Sequence, residues 1–326
     1  MSELDRRFSI APMLDCTDRH DRYFLRLFSK NILLYTEMIT SKAILNGDKE
    51  FLLGYSPQEH PIAVQIGGSD IEELKEVAKI CEQWGYDEIN LNVGCPSDRV
   101  QSGFFGACLM AQPDLVAESV ATMKSVVKIP VTVKHRIGID HQDSYEALET
   151  FVSKQISAGV DALIIHARKA WLKGLSPKQN RSVPPLNYEW VYQLKEQFNS
   201  VPFIINGGIT SIDECEQHLN YVDGVMLGRE PYANPYMLVD IDERLFSDNH
   251  IKLSRFEVLE TMYPYIEKEM KKGMPVTKII RHIIGLFHGQ PKAKLWRRYL
   301  SENGHKRGAD IKVIREATAL LEEPSL

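Results

Sequence analysis

The sequence predicts an α/β fold, a (β/α)8 TIM barrel with a C-terminal all-helical domain, on three observations. Eight short β-branched runs, each ending in polar or glycine-rich punctuation, recur through the first 230 residues. Helical patterns separate most of them, and that alternation calls for parallel strands, eight of which close a barrel. The strand pattern stops at Arg229, and 326 residues suit one barrel of about 250 residues plus an appendage. An open doubly wound sheet is the alternative use of the same elements.

Taken in order, strands are expected over 7–12, 32–39, 61–68 and 88–95, then over 131–138, 162–168, 203–209 and 224–229. Helices over 70–84, 113–127 and 211–219 carry their own start signals. Ser69-Asp70 precedes the first, Pro113 stands in the first turn of the second, and Ser211 opens the third. Beyond about 240 the pattern is helical over 254–271, 276–288, 291–301 and 309–322, with breaks at Gly273 to Pro275 and Glu302 to Gly308. The expected domains are therefore a catalytic barrel at 1–240 and a helical domain at 241–326. No further repeat or low-complexity segment is present.

Apolar residues make up 44 % of the chain and charged residues 25 %, a globular balance that excludes disorder and collagen-like sequence. No apolar run approaches the roughly 18 residues of a membrane helix. Met1 to Arg7 lack the apolar core of a secretory signal, so a cytoplasmic location is expected. The net charge of −5 speaks at first against a nucleic-acid partner. Residues 271–316, however, hold 12 Lys or Arg against 3 Asp or Glu, a local +9 that leaves −14 for the rest. The five cysteines, Cys16, Cys81, Cys95, Cys108 and Cys215, form no CxxC pair, which argues against a disulfide framework and against a metal site. Cys81 and Cys215 fall in amphipathic helical stretches and read as small core residues.

Active sites of such barrels lie at the carboxyl ends of the strands. Here those ends read Pro12-Met13, Glu37, Gln65, Asn92 to Cys95, Lys134, His166, Asn206 to Gly208, and Gly228-Arg229. Polar groups gathered at one end of apolar strands require a ligand to satisfy them. Asn206-Gly207-Gly208 offers unshielded backbone N–H groups, and Gly228-Arg229 adds a cation one strand later, so a phosphorylated ligand is expected. Pro96 forces Cys95 out of helical angles and projects its thiol at the end of the fourth strand. A thiol there suits a nucleophile and a general acid equally.

Ala11-Pro12-Met13 with Thr17-Asp18-Arg19-His20, then Asn92-Val93-Gly94-Cys95-Pro96 and Gly106-Ala107-Cys108-Leu109-Met110, closely resembles the tRNA-dihydrouridine synthases. The run Lys134 to Gly138 and the stretch Gly159 to Arg168 look most like the A-type bacterial subfamily. The resemblance covers the barrel and extends into the helical tail. It implies a flavoprotein oxidoreductase that uses FMN as cofactor and NADPH as reductant. The reaction implied is reduction of the C5=C6 bond of a D-loop uridine, U20 or U20a, to 5,6-dihydrouridine. It implies that Ala11, Pro12, Met13, Gln65, Lys134 and His166 contact the flavin, and that Asn206, Gly207, Gly208, Gly228 and Arg229 cradle its phosphate. Cys95 matches the family's proton donor, delivering to C5 while hydride passes from flavin N5 to C6, and Asn92 matches the residue that touches the target uridine. Lys178, Arg181, Lys294 and Arg297 match the tRNA-binding signature, which makes 241–326 the tRNA-binding domain and tRNA the partner; no stable protein partner is expected. Cys16 departs from the tryptophan associated with that position. Competing readings are another flavin barrel acting on free pyrimidines, an aldolase-like barrel with Lys134 as Schiff base, and a non-catalytic RNA-binding protein.

Overall fold

The computed structural model describes residues 4–322. Eight strands form one parallel sheet: β1 (Phe8–Ile10), β2 (Leu34–Thr40), β3 (Ile62–Gly67), β4 (Glu88–Val93), β5 (Val131–Arg136), β6 (Ala162–His166), β7 (Phe203–Asn206) and β8 (Gly224–Leu227). From β2 to β8 each strand pairs with its sequence neighbours, and β1 pairs with β8. A parallel bridge between Ser9 and Leu33 joins β1 to the entry of β2, with Ile10 N donating to Leu33 O at 3.0 Å. That bridge closes the barrel and excludes the open sheet.

All eight expected strands form, but several end early at their carboxyl side. The ladder of β4 stops at Val93 because the N–H groups of Gly94 and Cys95 bond the Asn92 side chain instead. β7 stops at Asn206 because Gly207 and Gly208 take φ of +113° and +79°, angles that no strand contains. The helices Ile71–Trp84, Pro113–Lys124 and Ile212–His218 start where their caps placed them: Asp70 accepts from Glu73 N and Ser211 from Glu214 N. Further helices, Tyr145–Ser157 and Tyr188–Gln197 among them, supply the remaining crossovers.

The chain divides into two compact units, and their border differs from the expected 240. The barrel unit takes the described residues up to Leu14 and then Ile32–Leu227. The helical unit takes Asp15–Asn31 and the described residues from Gly228 onward. The reason is visible in the bonds of 15–31. Asp18 caps the helix Arg19–Leu25 and accepts from His282 Nε2 at 3.0 Å, Tyr23 stacks on Tyr265 at 3.8 Å, and Ser29 donates to Asp242. Burial alone would raise the Asp18 carboxyl, yet the bond and charge of His282 and the Asp21 N–H together bring it down to about 2. The Thr17 to His20 motif is thus built into the helical unit, and Cys16 lies there too.

In the helical unit the helices Arg255–Lys271, Thr277–Ile283, Ala293–Asn303 and Lys312–Glu322 follow the expected order. The second is shorter than expected, because beyond Ile283 the backbone turns to three-residue bonds, Leu286 N to Ile283 O and His288 N to Gly285 O. No helix among the described residues is long and apolar enough to cross a membrane.

Candidate active site at the barrel mouth

Alternate residues of a strand share a face, and paired residues of neighbouring strands lie side by side. The register sets Gln65 beside Asn90, Asn90 beside Thr132, and Asn92 beside Lys134. Polar side chains therefore gather on one face of β3, β4 and β5, where Gln65, Asn90 and Thr132 are buried and Asn92 is 8 % exposed. Asn92 Nδ2 donates to Gln65 Oε1 at 2.7 Å.

Cys95 follows β4 on a loop held at both ends. Its N–H donates to Asn92 Oδ1 at 3.0 Å, and its carbonyl accepts from Ala107 N at 2.9 Å. Gly106 makes the second bond possible. It adopts φ +77°, and a Cβ there would meet the Cys95 carbonyl oxygen at 2.6 Å. The Gly106-Ala107 motif therefore serves the thiol loop. Cys95 is half-buried, with its Sγ 3.5 Å from Ser97 Oγ.

Lys134 Nζ donates to Asn206 Oδ1 at 3.0 Å, and Asn206 Nδ2 donates to Met226 O at 2.7 Å. No described carboxylate pairs with Lys134. Burial first, and then the charge of Arg136, lower its ammonium to about 7, against a partial opposing effect of Cys95. Gly207 and Gly208 are required for packing as well as for their angles. A Cβ on Gly207 would meet the His166 ring at 2.5 Å, and one on Gly208 would meet Leu186 at 2.5 Å. His166, half-buried at the end of β6, therefore rests on the glycine turn. Ala11 extends β1, its N–H bonding Leu227 O at 2.7 Å and its side chain entering the core, with Pro12 and Met13 half-buried beyond it. Gly228 and Arg229 directly follow β8 in the chain and open the helical unit.

One buried guanidinium ties the thiol loop to the long loop after β6. Arg136 Nε donates to Gly94 O at 2.8 Å, while Nη1 donates to Lys169 O and Asn180 O, both at 3.1 Å. Gln101 Nε2 adds bonds to Pro96 O and Leu172 O, both at 2.8 Å. Burial first, together with nearby Arg181 and Arg168, lowers Arg136 to about 10, with Cys95 opposing. Lys178 and Arg181 lie exposed on this loop, around the 3-10 turn Gln179–Arg181.

A family model described as dihydrouridine synthase matches residues 9–322. The chain belongs to the dihydrouridine synthase family. A protein of Shewanella oneidensis named tRNA-dihydrouridine(20/20a) synthase is 59 % identical over 314 residues, which cover 96 % of this chain and 93 % of that one. Proteins of the same name from Vibrio parahaemolyticus and Escherichia coli K12 are 56 % and 57 % identical, over 96 % and 97 % of this chain and 96 % and 91 % of theirs. Among solved structures, a 2-naphthoyl-CoA reductase in complex with 2-naphthoyl-CoA shares the fold with a TM-score of 0.57 at 10 % identity. That match covers 73 % of this chain and 50 % of the reductase chain, so this chain spans half its length.

Within this dihydrouridine synthase family member, the barrel unit brings together the expected Gln65, Asn92, Cys95, Lys134 and Asn206, with His166 on the glycine turn beyond β7. Lys294 and Arg297 belong to the helical unit, exposed on Ala293–Asn303, and both line a surface concavity with His288, Gln290 and Lys292. Trp296 between them is fully buried against Phe287, so it belongs to the core and not to the basic face. Sequence reasoning missed Arg136, Gln101 and the inner polar positions Glu88, Asn90 and Thr132. A signal existed for the strand residues: Glu88, Asn90 and Asn92 alternate along β4, and Thr132, Lys134 and Arg136 alternate along β5. Two polar stripes of period two in apolar strands mark one inward face.

Proposed function

We propose that this enzyme of the dihydrouridine synthase family reduces the C5=C6 bond of a D-loop uridine, U20 or U20a, in tRNA, with FMN as cofactor and NADPH as reductant. The observation that carries this reading is the joint placement of the Cys95 loop, Asn92 and Lys134 at one barrel mouth, in a chain with relatives of that name across nearly its whole length.

The mouth fits a flavin on its own chemistry. Lys134 presents a half-buried ammonium without a described carboxylate partner, a setting that favours an anionic ring edge. Gln65 retains an N–H for that ring, and the turn at Gly207 and Gly208 exposes backbone to a phosphate, with Gly228-Arg229 following β8 as the next contribution. A flavin held there would supply the hydride chemistry.

The chain's own residues do the rest. Asn92 holds the base and the backbone of Cys95, and Cys95 delivers a proton to C5. Lys134 and Asn206, bonded to each other, keep a fixed dipole and charge in place before the reaction begins. Lys178 and Arg181 on the barrel unit, and Lys294 and Arg297 on the helical unit, bind phosphates of the RNA.

Deleting the gene is expected to remove dihydrouridine from the D-loop of tRNA, read by mass analysis; an unchanged content at every position refutes the function. Cys95→Ala should slow reduction of tRNA about 100-fold or more, the lower end of a general acid's contribution, while flavin stays bound. A wild-type rate from that variant would remove Cys95 from the mechanism.

A further inference from the structure

A continuous chain of side-chain hydrogen bonds runs inside the barrel from the Glu88 carboxylate to the backbone of Cys95. Arg6 Nε donates to Glu88 Oε2 at 2.8 Å, and Tyr35 Oη and Thr132 Oγ1 each donate to Glu88 Oε1 at 2.6 Å. Asn90 Nδ2 then donates to Thr132 Oγ1 at 2.9 Å, Gln65 Nε2 to Asn90 Oδ1 at 2.7 Å, and Asn92 Nδ2 to Gln65 Oε1 at 2.7 Å. Asn92 Oδ1 accepts from Gly94 N at 3.1 Å and Cys95 N at 3.0 Å.

The direction of every bond follows from the first. A carboxylate only accepts, so it draws the single Thr132 proton; the other acceptor within reach, Ile89 O, stands at 3.5 Å. With its proton committed, Thr132 Oγ1 faces Asn90 as an acceptor. Asn90 must turn its amino group that way and its oxygen toward Gln65, and the same choice passes to Gln65 and Asn92. Both lone pairs of the Asn92 oxygen are taken by backbone N–H groups, and one amide proton is taken by Gln65. What Asn92 has left for a ligand is a single N–H.

We propose that Glu88, Thr132 and Asn90 are positioning residues whose directed hydrogen bonds lock the amides of Gln65 and Asn92, so that Asn92 meets the target base as a donor alone and thereby selects uridine over cytidine. This rests on the tRNA reading above. Turned toward the C4 edge of the base, such an N–H meets an accepting carbonyl in uracil but an opposing amino group in cytosine. Rotating the Asn92 amide to suit cytosine would break two backbone bonds of the thiol loop, so base choice and placement of Cys95 are coupled.

The test uses flavin-loaded protein and one tRNA bearing uridine or cytidine at the reduced position. Wild type should bind the cytidine form about tenfold more weakly, the worth of one hydrogen bond exchanged for two opposed donors. Thr132→Val keeps the shape but removes the hydroxyl, and should bring that ratio toward one. It should also raise the rate of Cys95 alkylation by iodoacetamide several-fold. Thr132→Ser keeps the hydroxyl and should restore both. A purely structural Thr132 would lower the melting temperature without moving the ratio. A folded Thr132→Val with wild-type ratio and alkylation overturns the proposal. Should that variant fail to fold, equal binding of the two tRNAs by wild type overturns it, and a tenfold preference for uridine supports it. If neither tRNA binds, the tRNA reading fails instead, and the alkylation rates of the two variants decide the positioning role alone.

Discussion

Lys134 sits beside Arg136 and the Cys95 loop with a neutral amide as its bonded partner, so folding carries a charge into a place that disfavours it. Its ammonium is lowered from 10.5 to about 7, which means that the unfolded chain binds more protons there at every pH between those values. Stability therefore rises with pH across that window as the unfolded lysine gives up its proton. Lys134→Met should make the flavin-free protein more stable than wild type below pH about 7, with the advantage shrinking toward pH about 10.5. Thermal melts across that range check the sign; an advantage that grows with pH would show that burial is not the cause. The same variant should lose tRNA reduction, since stability was given up for a poised cation. Lys134 was legible in the sequence because it is a lysine in the carboxyl half of an expected strand. Gly207 was legible only in part: its exposed backbone could be inferred, but its contact with the His166 ring depends on how β6 and β7 pair.

At the scale of elements, the strands could be read because their apolar residues face both a core and a helical layer. Their carboxyl ends could not, because there the backbone leaves the ladder for side-chain partners such as Asn92. The loop after β6 shows the same principle over a longer reach. The loop carries Lys169, Lys173, Lys178 and Arg181, yet Asn180 within it is fully buried, its amide bonded to the backbone of Trp171 and Leu175. Arg136 and Gln101 then tie the loop to the segment that carries Cys95. A lysine lacks the planar fork that lets Arg136 reach three carbonyls in two loops at once. Arg136→Lys should therefore speed proteolytic cleavage within 169–187 by about tenfold, equal to about 1.4 kcal/mol of easier local opening. Cleavage elsewhere should be unchanged, and a global rise in cleavage would point to unfolding of the barrel instead.

For the whole molecule, the net charge of −5 conceals where the cations are available. Several within 271–316 are already engaged: Lys272 pairs with Glu269, and Arg315 lies 3.7 Å from Glu267 and over the Tyr263 ring. Lys294 and Arg297 differ, being exposed, one helical turn apart and without a described carboxylate partner. Each is free to displace one counterion from RNA. Measured as log K against log salt concentration, tRNA binding should lose about 0.7–0.9 of slope for each phosphate contact removed. The double variant Lys294→Ala with Arg297→Ala should therefore flatten the slope by about 1.5, whereas Lys272→Ala should leave it nearly unchanged. Flavin content and melting temperature should hold in both, since neither side chain packs in the core. An equal loss of slope in the two variants would mean that the RNA responds to total charge, and the pairing that separates free from engaged cations would then have no bearing on binding.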